Sequence, residues 1–491
     1  MSFDLVLFGG TGDLAWRKLL PALFQAHRHG TLPADGRILG VGRSAWTDDD
    51  YRRWLKERFD DVDEGKRPSD GEFDRFAARV HFLRMDLARA DDYSRLADWL
   101  RPGAAAERSA PADAVIMYLA TGPDLFPVVC EHLGRAGLNG PNVRVVLEKP
   151  LGRDLASAQA TSRVVRASFR EAQALRIDHY LGKPAVQNLM ALRFGNLLFE
   201  PLWRRECVAN VQITIAESIG VGTRGAFYDA TGALRDMIQN HALQLLTMIA
   251  MEPPSRLSPQ DIHAEKLKVL RALKPFDGAS ALRDVVRGQY RGGAVGGTRA
   301  AGYLEEARVP PDSRTETFVA LRAEVANWRW AGVPFFLRTG KRLAVHSAGI
   351  VVEFRPTPHN LFAGAARPNK LVIKLQPEDG LELRLVAAKD SAQAEELSPV
   401  TLDLDFEKAF GQNRVGAYER LLLDAIAGRL NLFVAGDEQE EAWRYVEPIL
   451  RAWERNEAAS GDLHGYAAGT MGPSAAGALV AREGFAWEED R

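Results

Sequence analysis

A chain of 491 residues is long enough for two or three domains and a large core. Hydrophobic residues make up 46% and charged residues 26%, and the formal net charge is −2, so no basic excess points to nucleic acid or an anionic membrane as the partner. The two cysteines, Cys130 and Cys207, give no disulfide framework and fit a reducing, cytoplasmic setting, and neither metal-ligand spacing nor a membrane-spanning apolar run is visible.

The N-terminal Met1–Phe8 reads as a first strand and not as a signal peptide, since it lacks a basic leader and a long apolar stretch. It ends in Gly9-Gly10-Thr11-Gly12, and a helix pattern follows from Asp13 to about His27. Strands are then expected at Arg37–Gly42, Val80–Leu83, Ala114–Ala120 and Val143–Glu148. Helices are expected at Tyr51–Phe59, Tyr93–Leu100, Phe126–Ala136 and Leu155–Phe169. Strands alternating with helices predict a Rossmann-like, doubly wound parallel sheet. Beyond it the pattern changes. Val208–Glu217 alternates like a half-exposed strand, and Gly232–Met251 reads as one long apolar helix. Gly292–Gly297 reads as a mobile loop. Ile350–Phe354, Lys370–Leu375 and Leu381–Leu385 read as antiparallel strands, so the second domain is expected to be α+β with a mainly antiparallel sheet. The boundary is expected at residue 178, giving domains 1–178 and 179–491.

Gly9-Gly10-Thr11-Gly12-Asp13-Leu14-Ala15 joins a strand to a helix and is a variant of the dinucleotide fingerprint. Its glycines allow a tight turn and close backbone approach to a pyrophosphate, and Ala15 allows close helix–strand packing. The second strand ends in Gly42-Arg43-Ser44, where NAD binders usually place an acid for the ribose hydroxyl. A guanidinium there suits a 2′-phosphate, so NADP is preferred, with NAD as a poorer or alternative acceptor. A solvated loop arginine would read the same way. Glu148-Lys149-Pro150 closes a core strand at its carboxyl end, where open α/β sheets bind ligands. Lys149 fits a contact to nicotinamide and substrate, and a plain structural turn fits equally.

Asp178-His179-Tyr180-Leu181-Gly182-Lys183-Pro184 packs an acid, an imidazole, a phenol and an ammonium onto the loop before a predicted helix. The residue before proline avoids α geometry, and proline suits the first turn of a helix. Helix N–H groups with His179, Tyr180 and Lys183 make a credible receptor for a substrate phosphate, though a polar capping loop is the simpler alternative. Within Ala233-Leu-Arg-Asp236-Met-Ile-Gln-Asn-His241, a lone histidine beside an apolar helix face is more often a core residue. Its company shifts the balance. Asp236 and His241 are five apart, about 140° around an α-helix, so both can border one wide pocket. Glu217 ends a strand nearby in sequence, and Asp178 is suited to orient an imidazole base. No nucleophile elbow, metal motif or P-loop competes.

These segments, with Pro334-Phe-Phe-Leu-Arg-Thr-Gly-Lys, Pro368-Asn-Lys-Leu-Val-Ile and Ala417-Tyr-Glu-Arg-Leu-Leu-Leu-Asp, come in family order and together closely resemble the glucose-6-phosphate dehydrogenases. The resemblance implies that His241 is the general base for the C1 hydroxyl of β-D-glucose 6-phosphate and Asp178 its orienting carboxylate. It implies a phosphate grip of His179, Tyr180 and Lys183 and sugar contacts from Glu217, Asp236 and Lys341. Lys149 would be shared between sugar phosphate and cofactor, Arg43 would bind the 2′-phosphate, and Lys18 would touch the cofactor. The implied products are 6-phosphogluconolactone and NADPH, as in the first oxidative step of the pentose phosphate pathway. The implied assembly is a homodimer or dimer of dimers, formed through the broad sheet. The family often carries a second Lys or Arg five residues after the Thr-Gly-Lys lysine, where this chain has His346, whose charge depends on pH. Two rival readings remain at this level. One is a sugar dehydrogenase of the glucose–fructose oxidoreductase type acting on an unphosphorylated sugar. The other is a non-catalytic NADP-binding sensor, which has no need of a base and its orienter.

Overall fold

The computed structural model describes residues 1–61, 69–102, 110–362, 367–388, 397–411, 415–455 and 462–488. The chain divides into two compact units. The first carries strands β1 (Phe3–Phe8), β2 (Gly36–Gly42), β3 (Val80–Arg84), β4 (Ala114–Leu119), β5 (Val143–Leu147) and β6 (Ala174–Ile177). They are mutually parallel in the order β6-β5-β4-β1-β2-β3, the dinucleotide-fold arrangement. Every β1 residue is buried, as expected for a strand covered on both faces. Phe3, Leu5 and Leu7 enter one apolar core, and Val6 and Phe8 enter the other. That period of two is what a central strand requires.

The second unit carries β7 (Val208–Ala216), β8 (Val285–Arg291), β9 (Gly293–Val295), β10 (Thr298–Ala300), β11 (Phe318–Glu324), β12 (Pro334–Gly340), β13 (Ser347–Phe354), β14 (Lys370–Gln376), β15 (Gly380–Ala388) and β16 (Leu397–Asp405). The first sheet is completed by β17 (Phe433–Val434) and the second by β18 (Leu463–Ala467). The second sheet runs β16-β15-β14-β13-β7-β12-β11-β8-β18. Its pairings are antiparallel except β7–β12 and β8–β18.

Four expectations need correction. The first unit does not stop at residue 178. It runs to Gly182 and recovers Leu257–His263 and Val415–Glu440. Helix Ala417–Ala427 buries Leu421, Leu422, Ala425 and Ile426 in the core that holds Leu5 and Leu7, and β17 pairs antiparallel with β6. Strand β7 is not half-exposed. Its polar Asn210 and Gln212 are buried, and Gln212 bonds the backbone of Ala486 and Glu488, so the C-terminal segment covers that face. Gly292–Gly297 is not without regular structure. It lies in the β9–β10 hairpin, whose two central residues, Gly296 and Gly297, both have positive φ as a primed hairpin turn demands. Finally, Gly232–Met251 is not one regular helix. It winds as a π-helix over Leu234–Ala242 and as an α-helix over Leu243–Ala250.

Candidate active site

Parallel strands deliver their C-terminal ends to one rim, and in the first unit that rim collects the residues expected to meet a nucleotide. Gly9 has φ +85°, and a Cβ on it would lie 2.7 Å from the Ala120 carbonyl oxygen. A Cβ on Gly10 would lie 2.6 Å from the Gly40 Cα, so the turn packs directly on the β2 backbone. Val41 O accepts from the Gly9 and Gly10 N–H groups, and Gly9 O accepts from Gly12 N–H at 2.8 Å. Thr11 Oγ1 stands 3.3 Å from where a Gly42 Cβ would be, at the end of β2, and the next residue, Arg43, is exposed. Asp13 is exposed and pairs with Arg17, Leu14 is half-buried, and exposed Lys18 lies on the π-helical turn Ala15–Leu19 that follows. This bare backbone cradle fits a dinucleotide pyrophosphate.

Past β5, Glu148 is buried and accepts the Tyr118 hydroxyl at 2.5 Å. Burial lifts its carboxyl above the usual range, and Tyr118 is held protonated, mainly by burial and then by Glu148. Lys149 follows, half-buried. Past β6, Asp178 is buried, and its Oδ1 accepts the Tyr180 N–H at 2.9 Å in an Asx turn. The His179 ring is stacked on Tyr418, with centroids 6.1 Å apart.

Lys183 belongs to the second unit, so the hexapeptide spans the division between the units. As expected before proline, Lys183 is extended (φ −68°, ψ 135°) and caps helix Pro184–Phe194. Its Nζ donates to Leu375 O at 3.2 Å and Gln376 Oε1 at 2.8 Å. Burial pulls the ammonium below the ordinary lysine range, with Asp379 opposing.

One rim of the second sheet gathers the remaining residues, and register explains why. Parallel β7 and β12 pair Ala216 with Gly340, so their next residues, Glu217 and Lys341, emerge side by side. Lys341 Nζ sits 2.7 Å from Glu217 Oε2 and 4.9 Å above the Tyr228 ring. Antiparallel β13 begins there, pairing Ser347 with Ala216, and β14 ends there, pairing Gln376 with Ala348. His346 is therefore at the same rim, exposed, with its Nε2 3.3 Å from Gln376 Nε2.

His241 is fully buried, and its backbone N–H donates to Asn240 Oδ1 at 2.6 Å. The 140° separation from Asp236 does not hold. The segment is π-helical, with Leu243 N–H reaching back to Ile238 O, and in i→i+5 winding residues five apart lie about one turn apart on neighbouring faces. Such wide turns are frequent at functional sites.

Three further residues carry no motif of their own. Tyr51 is buried and donates its hydroxyl to Gly10 O at 2.7 Å, bracing the nucleotide turn; the bare Gly40 against its ring is the only sequence trace. Gln376 links Lys183 to His346. The Tyr228 hydroxyl is held protonated by burial, reinforced by Asp236, Glu316, Tyr466 and Glu217.

Residues 6–188 match the family model described as glucose-6-phosphate dehydrogenase, NAD binding domain, and residues 190–488 match the C-terminal domain of the same family. The chain is 45% identical to glucose-6-phosphate 1-dehydrogenase of Rhizobium meliloti, over 99% of this chain and 98% of that one. It is 46% identical to that of Mycolicibacterium smegmatis, over 99% and 97%. Among solved structures, the Mycobacterium avium glucose-6-phosphate 1-dehydrogenase aligns over 100% of both chains with TM-score 0.84 and 37% identity. A glucose-6-phosphate dehydrogenase solved with its substrate glucose 6-phosphate aligns over 99% of both chains with TM-score 0.88 and 31% identity.

Proposed function

Because the chain belongs to the glucose-6-phosphate dehydrogenase family, we propose how its own residues carry out the oxidation of glucose 6-phosphate. A nicotinamide cofactor, when bound, supplies the hydride acceptor. NADP is the proposed form, held by the Gly9–Gly12 turn, Asp13, Leu14, Lys18, Arg43 and Lys149. His241 takes the proton of the C1 hydroxyl, and Asp178 orients the imidazole and stabilises its charged form. His179, Tyr180 and Lys183 grip the phosphate, with Lys149 reaching the sugar phosphate as well as the cofactor. Glu217, Asp236 and Lys341 hold the sugar hydroxyls. The ion pair that fixes Lys341 against Glu217 beside the Asp236 helix is the observation that best supports this reading. A preformed cluster of charged donors and acceptors is suited to a polyhydroxylated ligand.

The testing experiment compares NADPH formation from glucose 6-phosphate and from glucose, with NAD as alternative acceptor, in wild type and Arg43→Ala. Turnover is expected to require the phosphate. Loss of the guanidinium is expected to lower kcat/KM for NADP by about 10- to 100-fold, the value of a charge-assisted hydrogen bond, and to leave NAD turnover nearly unchanged. Equal turnover of glucose would favour the unphosphorylated-sugar reading.

No helix among the described residues is long and apolar enough to cross a membrane. Both cysteines are unpaired, and burial pushes the Cys130 thiol up to about 12, which suits the proposed cytoplasmic setting. A homodimer or dimer of dimers is proposed through the second sheet. Register places Leu404 beside Leu381, Leu402 beside Leu383 and Val400 beside Leu385, one apolar stripe at the β15–β16 edge, and Leu402 is 61% exposed. Leu402→Asp is expected to halve the mass seen by light scattering; an unchanged mass would place the interface elsewhere.

A further inference from the structure

We propose that Glu316 is a positioning residue for this oxidation, setting the helix that carries Asp236 and His241; the inference rests on the reading of His241 as the base. An acid in Thr315-Glu316-Thr317, just before β11, would ordinarily face solvent. Glu316 is instead 4% exposed, and burial lifts its carboxyl above the usual range, with Arg235 and Arg287 opposing. A buried carboxylate is costly unless it is hydrogen-bonded.

Its partners are the first N–H groups of the π-helical segment. Oε1 accepts from Leu234 N–H at 3.0 Å, and the Glu316 backbone carbonyl accepts from Ala233 N–H at 3.0 Å. The helix supplies no side-chain cap of its own. A residue from the neighbouring strand therefore satisfies donors that a helix start leaves open. Gly232 makes room for it. Its φ is +72°, and a Cβ there would stand 2.4 Å from Glu316 Oε1 and 2.7 Å from Oε2. The next residue, Thr317, accepts the Lys341 N–H through its carbonyl at 2.9 Å. The Tyr466 hydroxyl contacts Thr317 Oγ1 at 3.0 Å and donates to the Lys341 carbonyl at 2.7 Å. Two consecutive residues thus tie the start of the Asp236–His241 helix to the strand end that presents Lys341. In a wide-turn helix the position of the first turn decides where later side chains point, so loosening this anchor turns both Asp236 and His241 away from their working positions.

The test measures kcat, KM for each substrate and melting temperature for Glu316→Gln, Glu316→Asp and Glu316→Ala in the full chain. Gln keeps an oxygen that accepts the Leu234 N–H, whereas Asp keeps the charge but falls one methylene short. Glu316→Ala and Glu316→Asp are expected to lower kcat by about 10- to 100-fold, the scale of an ångström-size misplacement, with KM for NADP unchanged. Glu316→Gln is expected to stay within about threefold of wild type, since it preserves the positioning contact. The Gln–Asp contrast decides the matter even if Glu316→Ala fails to fold. Wild-type kcat in folded Glu316→Asp, or loss of activity in Glu316→Gln alone, would overturn the proposal. Wild type inactive on glucose 6-phosphate would overturn the functional reading itself, a distinguishable result.

Discussion

Replacing His241 by asparagine lowers kcat for glucose 6-phosphate by roughly 10²- to 10⁴-fold, the range that a positioned general base contributes. Oxidation of an alcohol requires loss of the hydroxyl proton as hydride departs, and an asparagine amide cannot take that proton. KM for either substrate should move little, because the phosphate, sugar and cofactor contacts are proposed for other residues. His241 is fully buried, so the competing expectation is a packing defect. A packing defect would lower the melting temperature and spare kcat in the fraction that remains folded. A variant with normal melting temperature and collapsed kcat identifies the base; a destabilised variant with normal kcat removes His241 from the mechanism. Asp178→Asn is expected to lower kcat in the same sense but by less, since it weakens the orientation of the base and leaves the base itself in place.

Lys183→Ala raises KM for glucose 6-phosphate by about 10- to 100-fold, the value of a hydrogen bond to a charged group, and leaves KM for NADP unchanged. Two carbonyl groups, of Leu375 and Gln376, already orient the ammonium, so little ordering remains to be done when a phosphate arrives. The pH dependence follows from burial. A buried lysine favours its neutral form, and the Lys183 ammonium is held below the ordinary lysine range. As pH rises through that lowered value the free protein loses the charge that attracts the phosphate, so KM should climb at alkaline pH earlier than for an exposed lysine. Lys183→Arg keeps its charge at every accessible pH and should flatten the climb. A KM that stays level through the alkaline range in the wild type would remove Lys183 from the grip. The Gln376 contact also brings His346 close to this group.

Sequence was sufficient where a conformation is written in local order. The Gly9–Gly12 turn, Arg43 after β2, the extended Lys183 before Pro184 and strands β13, β14 and β15 of the second unit were all legible, because turn chemistry, proline sterics and side-chain alternation act over a few residues. Apolar periodicity located β1 to β5 for the same reason, but not the four-residue β6. Long-range returns were not legible. Helix Ala417–Ala427 looks like any amphipathic helix until Leu421, Leu422 and Ile426 are found in the first unit's core. Strand β7 alternates as though one face met water, and only the distant C-terminal segment shows why Asn210 and Gln212 are buried. Helix winding also escaped the pattern. Asp236 and His241 were placed by an α-helical period, yet the segment takes the wider i→i+5 turn, with Glu316 from a different strand at its start. The chain by itself determined which chemical groups are present and on which kinds of element they lie. Tertiary structure decided which of them meet, since parallel β7 and β12 set Glu217 beside Lys341 across a sequence gap that no local rule can bridge.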